Sequence, residues 1–467
     1  MAAVTQHELL ERLESAKQKA QKLQKEILVS HRVQVDTVDP LIVFSNSQRI
    51  YEGQRSFWSD ASNELTLVGM GEARRFDIDG DDRFSGIQEK WQSIVTHQLE
   101  DYHTPYIYGT GPMVLGGFSF DTKKDKTPLW TNYSDASFVL PIHLYSFFGD
   151  KAYLTTNLFV HPDADVAKLF EESMTEKTVL LKKTSIEATE DRAYTLTEID
   201  PEQWKESVAD TTSMIKEGKI EKVVLAREVI AETDETISVT TTLQRLIHEQ
   251  PNSFIFAIER GHKCFLGASP ERLVQKSNGE VLSTCLAGSI KRGTFLEEDD
   301  HLGEQLLADQ KNREEHAFVV EMIREALEEV AGSVQIPDAP TLYKGRDIQH
   351  LYTPVVVKQA NRVSLLDVVE RLHPTPALGG FPQKESVKII RDVEKLDRGW
   401  YSSPVGWIDH HDQGEFAVAI RSGLINENHA SLFAGCGIVA ESDPESEYEE
   451  TKIKLKPMLS ALGGSFE

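Results

Sequence analysis

The chain has 467 residues, 40% of them hydrophobic and 27% charged, with a formal net charge of −25. That length allows one large α/β unit or two packed ones, and the composition is that of a chain able to build a sizeable core. The acidic excess repels nucleic acid and anionic membranes and argues against both as partners, so an anionic substrate would need positive charge gathered locally.

The amino terminus, MAAVTQHELLERLESAKQKAQ, has no apolar run of the kind a secretory signal needs. Periodicity predicts one helix over 7–28, with Leu9, Leu10, Leu13, Leu23 and Ile27 among polar residues. The stretch that follows reads as strand-rich: PLIVFSN, ELTLVGM, YIYGTGPMVLGGFSF, ASFVLPIHLYSFF and AYLTTNLFV are bounded by Gly, Pro, Asn and Asp turn signals. Residues 160–200 turn polar and helical, and this marks the expected boundary between halves 1–195 and 196–467, packed as one compact unit.

From 200 onward helices and strands alternate. Helix PEQWKESVADTTSMIKEG, strand KVVLAREVIA, helix TTLQRLIHEQ and strands SFIFAIE and CFLGAS come first. A long helix over 303–331, strands FAVAIRSGLI and ASLFAGCGIVA, and a last helix from about 444 complete the chain. The fold class is α/β (α+β), extended sheets flanked by helices. No run of roughly 18 apolar residues could span a membrane. Cys264, Cys285 and Cys436 lack C-x-x-C spacing and read as buried thiols in a reducing cytoplasm. DIDGDD (77–82) has Gly80 misplaced for a calcium loop and reads as a turn, as does the hairpin tip around His410 and His411.

Four features break the pattern. On the 303–331 helix the predicted buried arc is Val319, Met322, Ile323, Ala326, Leu327 and Val330, and Glu315 falls inside it, needing either an ion-pair partner or a metal. In the last helix Asp443 is a cap and Pro444 a first-turn residue, and Glu447, Glu450, Thr451 and Lys454 share one face. The helix dipole accounts for Glu445 and Glu447 but less well for Glu450, so Glu315 and Glu450 form a candidate Mg²⁺ pair. The strand KVVLAREVIA is apolar on both faces and therefore buried, with Lys222 at its mouth either as a base or reaching to solvent. Gly435 and Gly437 weaken a strand unless something approaches its backbone, either an anion or a tightly packed neighbour.

At these same residues the sequence resembles the chorismate-utilising enzymes, the family of isochorismate synthase, salicylate synthase and anthranilate synthase component I. The resemblance covers roughly 200–460 through ordered motifs: KVVLAR, FLGASPERL, LAGSIKRG, the EEH of KNREEHAFVVEMI, IQHL, LHPTPALGGFP, AVAIRSGLI, AGCGIVAESDPESEYEET and KIKL. GGFSF (116–120) looks like the family's amino-terminal half. The resemblance implies Lys222 as general base and Glu271 as general acid. It implies Glu315 and Glu450 as direct Mg²⁺ ligands, with Glu447 acting through water. Asn312 stands where some members carry an acid, so the outer metal shell is expected to differ. Gly288, His350, Thr375, Ala377, Arg421, Gly435, Gly437 and Lys454 are the implied substrate-binding positions.

The implied reaction is the reversible conversion of chorismate to isochorismate, by water attack at C2 and loss of the C4 hydroxyl. Water is a weak nucleophile and hydroxide a poor leaving group, so the site needs an unprotonated Lys222 and a protonated Glu271. Lys222 points to water rather than ammonia as nucleophile, which disfavours anthranilate synthesis. Salicylate formation with release of pyruvate is the alternative within the family, and a silent cation-binding protein the alternative outside it. Menaquinone and catecholate siderophore pathways both need isochorismate, and the extended amino-terminal half favours menaquinone. No obligatory protein partner is implied.

Overall fold

The computed structural model describes residues 2–99, 105–186, 193–345, 348–360 and 362–463. Two antiparallel sheets, one of 12 strands and one of 10, lie face to face. Period-two alternation explains how. In the strand Phe254–Arg260 of the larger sheet, Phe254, Phe256 and Ile258 enter the layer between the sheets, while Ile255 and Ala257 face outward. In Pro404–Asp409 of the smaller sheet, Val405 and Trp407 face the same inner layer and Ile408 the outer one. Outer apolar faces are then covered by helices: Pro40–Tyr51, Val239–Glu249 and Pro444–Ala461 on the larger sheet, and Arg83–His97, Gln310–Ala331 and Leu365–Leu372 on the smaller. A strand buried on both faces reads as a continuous apolar run, as the sequence does here.

Strands from early and late in the chain interleave. Ser56 pairs with Ile258 in one sheet, and Gly117 with Val405 in the other.

Several elements differ from expectation. The first helix is Ala2–Leu23, and Ile27 opens a strand instead. PLIVFSN is helical: Asp39 caps it by accepting a hydrogen bond from the Leu41 amide at 2.8 Å, and Pro40 suits the first turn. ASFVLPIHLYSFF is two strands, Ala136–Leu140 and His143–Phe147, in different sheets with the break at Pro141. FAVAIRSGLI likewise divides into Gly414–Val418 and Ser422–Asn426 in different sheets. The chain turns between them with Arg421 left-handed at φ 51. The single helix expected over 303–331 is two, Leu296–Ala308 and Gln310–Ala331, divided at Asp309, whose carboxylate caps the second by accepting from the Asn312 amide at 2.7 Å. In the polar stretch a helix forms at Val166–Leu180, and residues 187–192 lie outside the described residues.

Candidate active site

The strand Lys222–Glu232 pairs along its length with His429–Ile438, which sets Val224 opposite Gly437 and Ala226 opposite Gly435. Lys222 itself pairs with Phe381. Gly437 leaves room for the lysine: a Cβ there would stand 2.8 Å from Lys222 Cε. Of the two readings open for this glycine, close packing against Lys222 is the one the geometry displays. At Gly435 a Cβ would stand 3.3 Å from the Tyr401 hydroxyl.

Glu315 reaches this point from the other sheet's helix. Its carboxylate accepts a hydrogen bond from Lys222 Nζ at 3.1 Å, so its partner is a lysine. Of the arc expected, Val319, Ile323 and Leu327 are buried and Met322, Ala326 and Val330 half-buried; His316 joins it, while Glu315, expected within it, stands 46% exposed beside it. His316 takes the core position because it is satisfied there, bonding Thr353 Oγ1 at 2.7 Å and the Ala287 carbonyl at 3.0 Å. That carbonyl precedes Gly288, the left-handed residue (φ +76) at a β-bulge in Glu280–Lys291.

The last helix carries the second carboxylate. Glu450 pairs with Lys454 at 2.6 Å, and Lys454 also donates to the Gly435 carbonyl at 2.9 Å. Glu447 accepts from the Ser442 hydroxyl at 2.6 Å. Arg421 feels the charge of Glu450, while burial pushes its guanidinium below the usual range. Burial, with Arg421 nearby, lowers His350 to about 4, so the imidazole stays neutral; its Nδ1 lies 2.7 Å from Ser289 Oγ. His350 and Arg421 share a cavity of about 830 Å³ with Ala268, Pro270 and Tyr343.

Glu271 sits just beyond the strand Lys263–Ser269, partly exposed, with its amide donating to Ser269 Oγ at 3.2 Å. Burial pushes its carboxyl up to about 7. Burial pushes the Cys285 thiol up, with the charges of Glu271 and Glu315 adding to the rise and that of Lys222 opposing it. Thr375 and Ala377 lie in a turn in which the Leu378 and Gly379 amides donate to the Thr375 carbonyl at 3.0 and 2.8 Å. The Val224 amide in turn donates to Gly379, leaning this turn on the Lys222 strand. Thr375 Oγ1 is buried with no hydrogen-bond partner among the described residues, a group that an incoming polar ligand would satisfy.

Lys222, Glu315, Gly437, Gly435, Lys454 and Glu450 are therefore joined in a chain of contacts, with Arg421 and His350 beside them. Positive charge is concentrated here in Lys222, Arg421 and Lys454. Sequence reasoning assigned no role to Tyr401, Ser289 or His316: Ser289 and His316 lie within the motifs LAGSIKRG and EEH, while Tyr401 is brought to the site only by the fold. For a divalent cation, Glu315 and Glu450 offer hard oxygen donors and both are accessible, at 46% and 51% exposure. Among the described residues no three His, Cys, Asp or Glu side chains gather into a complete cage, so water or substrate would have to complete the shell.

A lysine paired with an accessible carboxylate, a second accessible carboxylate paired with Lys454, and a carboxyl raised to about 7 are the groups an enzyme for a small anionic substrate would use. The chain belongs to the chorismate-binding enzyme family, whose model matches residues 12–463. It is 42% identical over 450 residues to the isochorismate synthase MenF of Bacillus subtilis, covering 96% of each chain. It is 35% identical over 467 residues to the salicylate biosynthesis isochorismate synthase of Pseudomonas aeruginosa, covering 98% of this chain and 95% of that one. The solved structure of MenF, the menaquinone-specific isochorismate synthase of Escherichia coli, superposes with a TM-score of 0.78 at 25% identity, covering 97% of this chain and 100% of that one.

Proposed function

We propose that this protein is an isochorismate synthase, an isomerase that moves the hydroxyl of chorismate from C4 to C2 with Mg²⁺. The observation that carries the reading is the meeting of Lys222 with Glu315 in a cleft whose other acid, Glu271, is held up to about 7. Lys222 takes a proton from water as its oxygen bonds to C2. The ring double bonds shift, the C4–O bond breaks, and Glu271 donates the proton that lets the hydroxyl leave as water. One water enters and one leaves, so the step balances and reverses through the same groups.

Arg421, Lys454 and the backbone at Gly435 and Gly437 hold the substrate carboxylates, with His350, Thr375, Ala377 and Gly288 shaping the pocket. Glu315 and Glu450 would hold the Mg²⁺, with Glu447 supporting it through water. When bound, the ion offsets the charge that two protein carboxylates and a substrate carboxylate would otherwise bring together. Lys222 would act on water once its contact with Glu315 is released. We place the activity in the cytoplasm on the menaquinone route, with residues 1–195 and 196–467 as halves of one unit and no obligatory protein partner. The menaquinone route is supported by the similarity to the MenF enzymes along nearly the whole chain.

The test is incubation of the purified protein with chorismate and Mg²⁺, with and without chelator, followed by chromatography. Isochorismate reaching a partial plateau, and disappearing with chelator, is the expected outcome. Accumulation of salicylate and pyruvate would identify a salicylate synthase with the same site, and no conversion would sink the mechanism.

A further inference from the structure

A second cavity, of about 470 Å³, lies against the same strand beyond the cleft just described. Leu129, Trp204, Ile230, Val393 and Leu396 give it apolar walls. That volume falls within the usual range for small-molecule sites. Four carboxylates line it: Asp200 and Glu394 are paired with Lys395 and Arg398, which leaves Glu228 and Asp397. Asp397 is fixed: its Oδ2 accepts from the Thr127 amide at 2.8 Å and hydroxyl at 3.2 Å, and its Oδ1 from the Gly399 amide at 3.0 Å. Glu228 is half-buried, and its carboxylate takes a hydrogen bond from Ser431. Burial pushes it up, the Ser431 hydrogen bond opposes that, and the charge of Asp397 adds to the rise.

The cations that line it already face carboxylates. Lys395 pairs with Asp200 at 3.8 Å. Arg227 donates to Thr451 at 2.7 Å and to Glu198 at 3.4 Å, and its guanidinium stacks on Tyr448. Among the described residues Glu228 has no cationic partner. Glu228 lies on the same face of the strand as Lys222 and six positions along it, about 20 Å away at the rise of an extended strand. Two sites thus share one strand. Between them Glu394 accepts from the Ala226 amide at 2.7 Å and pairs with Arg398, which donates to the Val224 and Leu378 carbonyls at 2.8 and 3.1 Å.

We propose that this cavity binds a small molecule with an apolar body and one ammonium group, seated between Glu228 and Asp397. An anion of the same shape is disfavoured, because four carboxylates line the cavity and its two cations already face carboxylates. Nothing in this depends on the reaction proposed for the other cleft.

Isothermal titration of the full chain with phenethylamine, and separately with phenylacetate, tests it. Saturable binding of the amine at one site, at least about tenfold tighter than the acid, is expected. Glu228→Gln should weaken the amine by about tenfold, and Ile230→Trp, which fills the cavity, should remove binding without loss of fold. Equal binding of amine and acid, wild-type affinity in Ile230→Trp, or no binding of the amine at millimolar concentration would each overturn the proposal. The first and last comparisons use the unmodified protein, so they stand even where a variant misfolds.

Discussion

Opposite charges meet in two very different settings in this molecule. In the interior, Glu259 accepts from Arg55 Nε at 2.8 Å, from Arg55 Nη2 at 2.5 Å and from the Gly53 amide at 3.0 Å, with the two side chains 6% and 3% exposed. Glu394 and Arg398 are as deeply buried and spend their remaining capacity on backbone groups of the Lys222 strand. In the cleft, Lys222 and Glu315 share one contact at 3.1 Å and are 22% and 46% exposed. The first kind of pair is saturated and holds the sheet, while the second keeps spare donors and acceptors that substrate or metal can claim. Saturation, more than charge, separates structural ion pairs from those with work to do.

Breaking one pair of each kind tests this directly. Lys222→Ala removes the proposed base and is expected to lower kcat by about 10²–10⁴-fold. Its unfolding midpoint in urea should stay close to wild type, since an accessible pair contributes little to stability. A large stability loss would place Lys222 among the structural groups. Arg398→Met leaves Glu394 buried and uncompensated, which costs about 3–5 kcal/mol. Urea denaturation measures it, and a loss below about 1 kcal/mol would contradict the distinction.

Titration sharpens the comparison further. Glu271, Asp409 and Glu415 are all raised to about 7, chiefly by burial. Free carboxyls titrate near 4, so the folded state binds these protons more tightly than the unfolded one. Their burial therefore lowers stability as pH rises from about 4 to about 7, after which the effect is constant. Only Glu271 belongs to the cleft. We expect kcat/KM to fall as pH rises through about 7, approaching tenfold per unit. Glu271→Gln should lose that limb together with most activity, and Glu415→Gln should keep it. A limb that survives Glu271→Gln would assign the proton to another group.

Much of this was legible in the sequence where residue pattern and local structure coincide. KVVLAREVIA is apolar on both faces and forms the buried strand, and Asp443 with Pro444 opens the last helix. What failed depended on a choice between good local alternatives. The arc through Val319, Ile323 and Leu327 is the one the periodicity predicts; only its first turn differs, where His316, satisfied by Thr353 and Ala287, takes the core place expected for Glu315. Strands that change sheets at Pro141 and around Arg421 look continuous because neither interruption lowers their hydrophobicity. The second cavity was invisible, since Thr127, Glu228 and Asp397 are brought together only by the fold.

PLIVFSN gives the smallest effect and a direct view of such a choice. Its apolar, partly β-branched run suits a strand, yet it forms the helix Pro40–Tyr51 and buries Leu41, Val43, Phe44 and Tyr51 against the larger sheet. Two local devices favour the helix: Pro40 in the first turn and the Asp39 carboxylate on the Leu41 amide. Asp39→Ala should therefore cost about 1 kcal/mol of stability. The kinetic constants for chorismate should not move, because this helix lies on the sheet's outer face and takes no part in the contacts that join Lys222 to Glu450. An unchanged unfolding midpoint would mean that packing of Phe44 and Tyr51 fixes the helix without its cap. A changed kcat would mean that strain in the outer layer reaches the cleft, and the separation between saturated framework and exchangeable site would fail there.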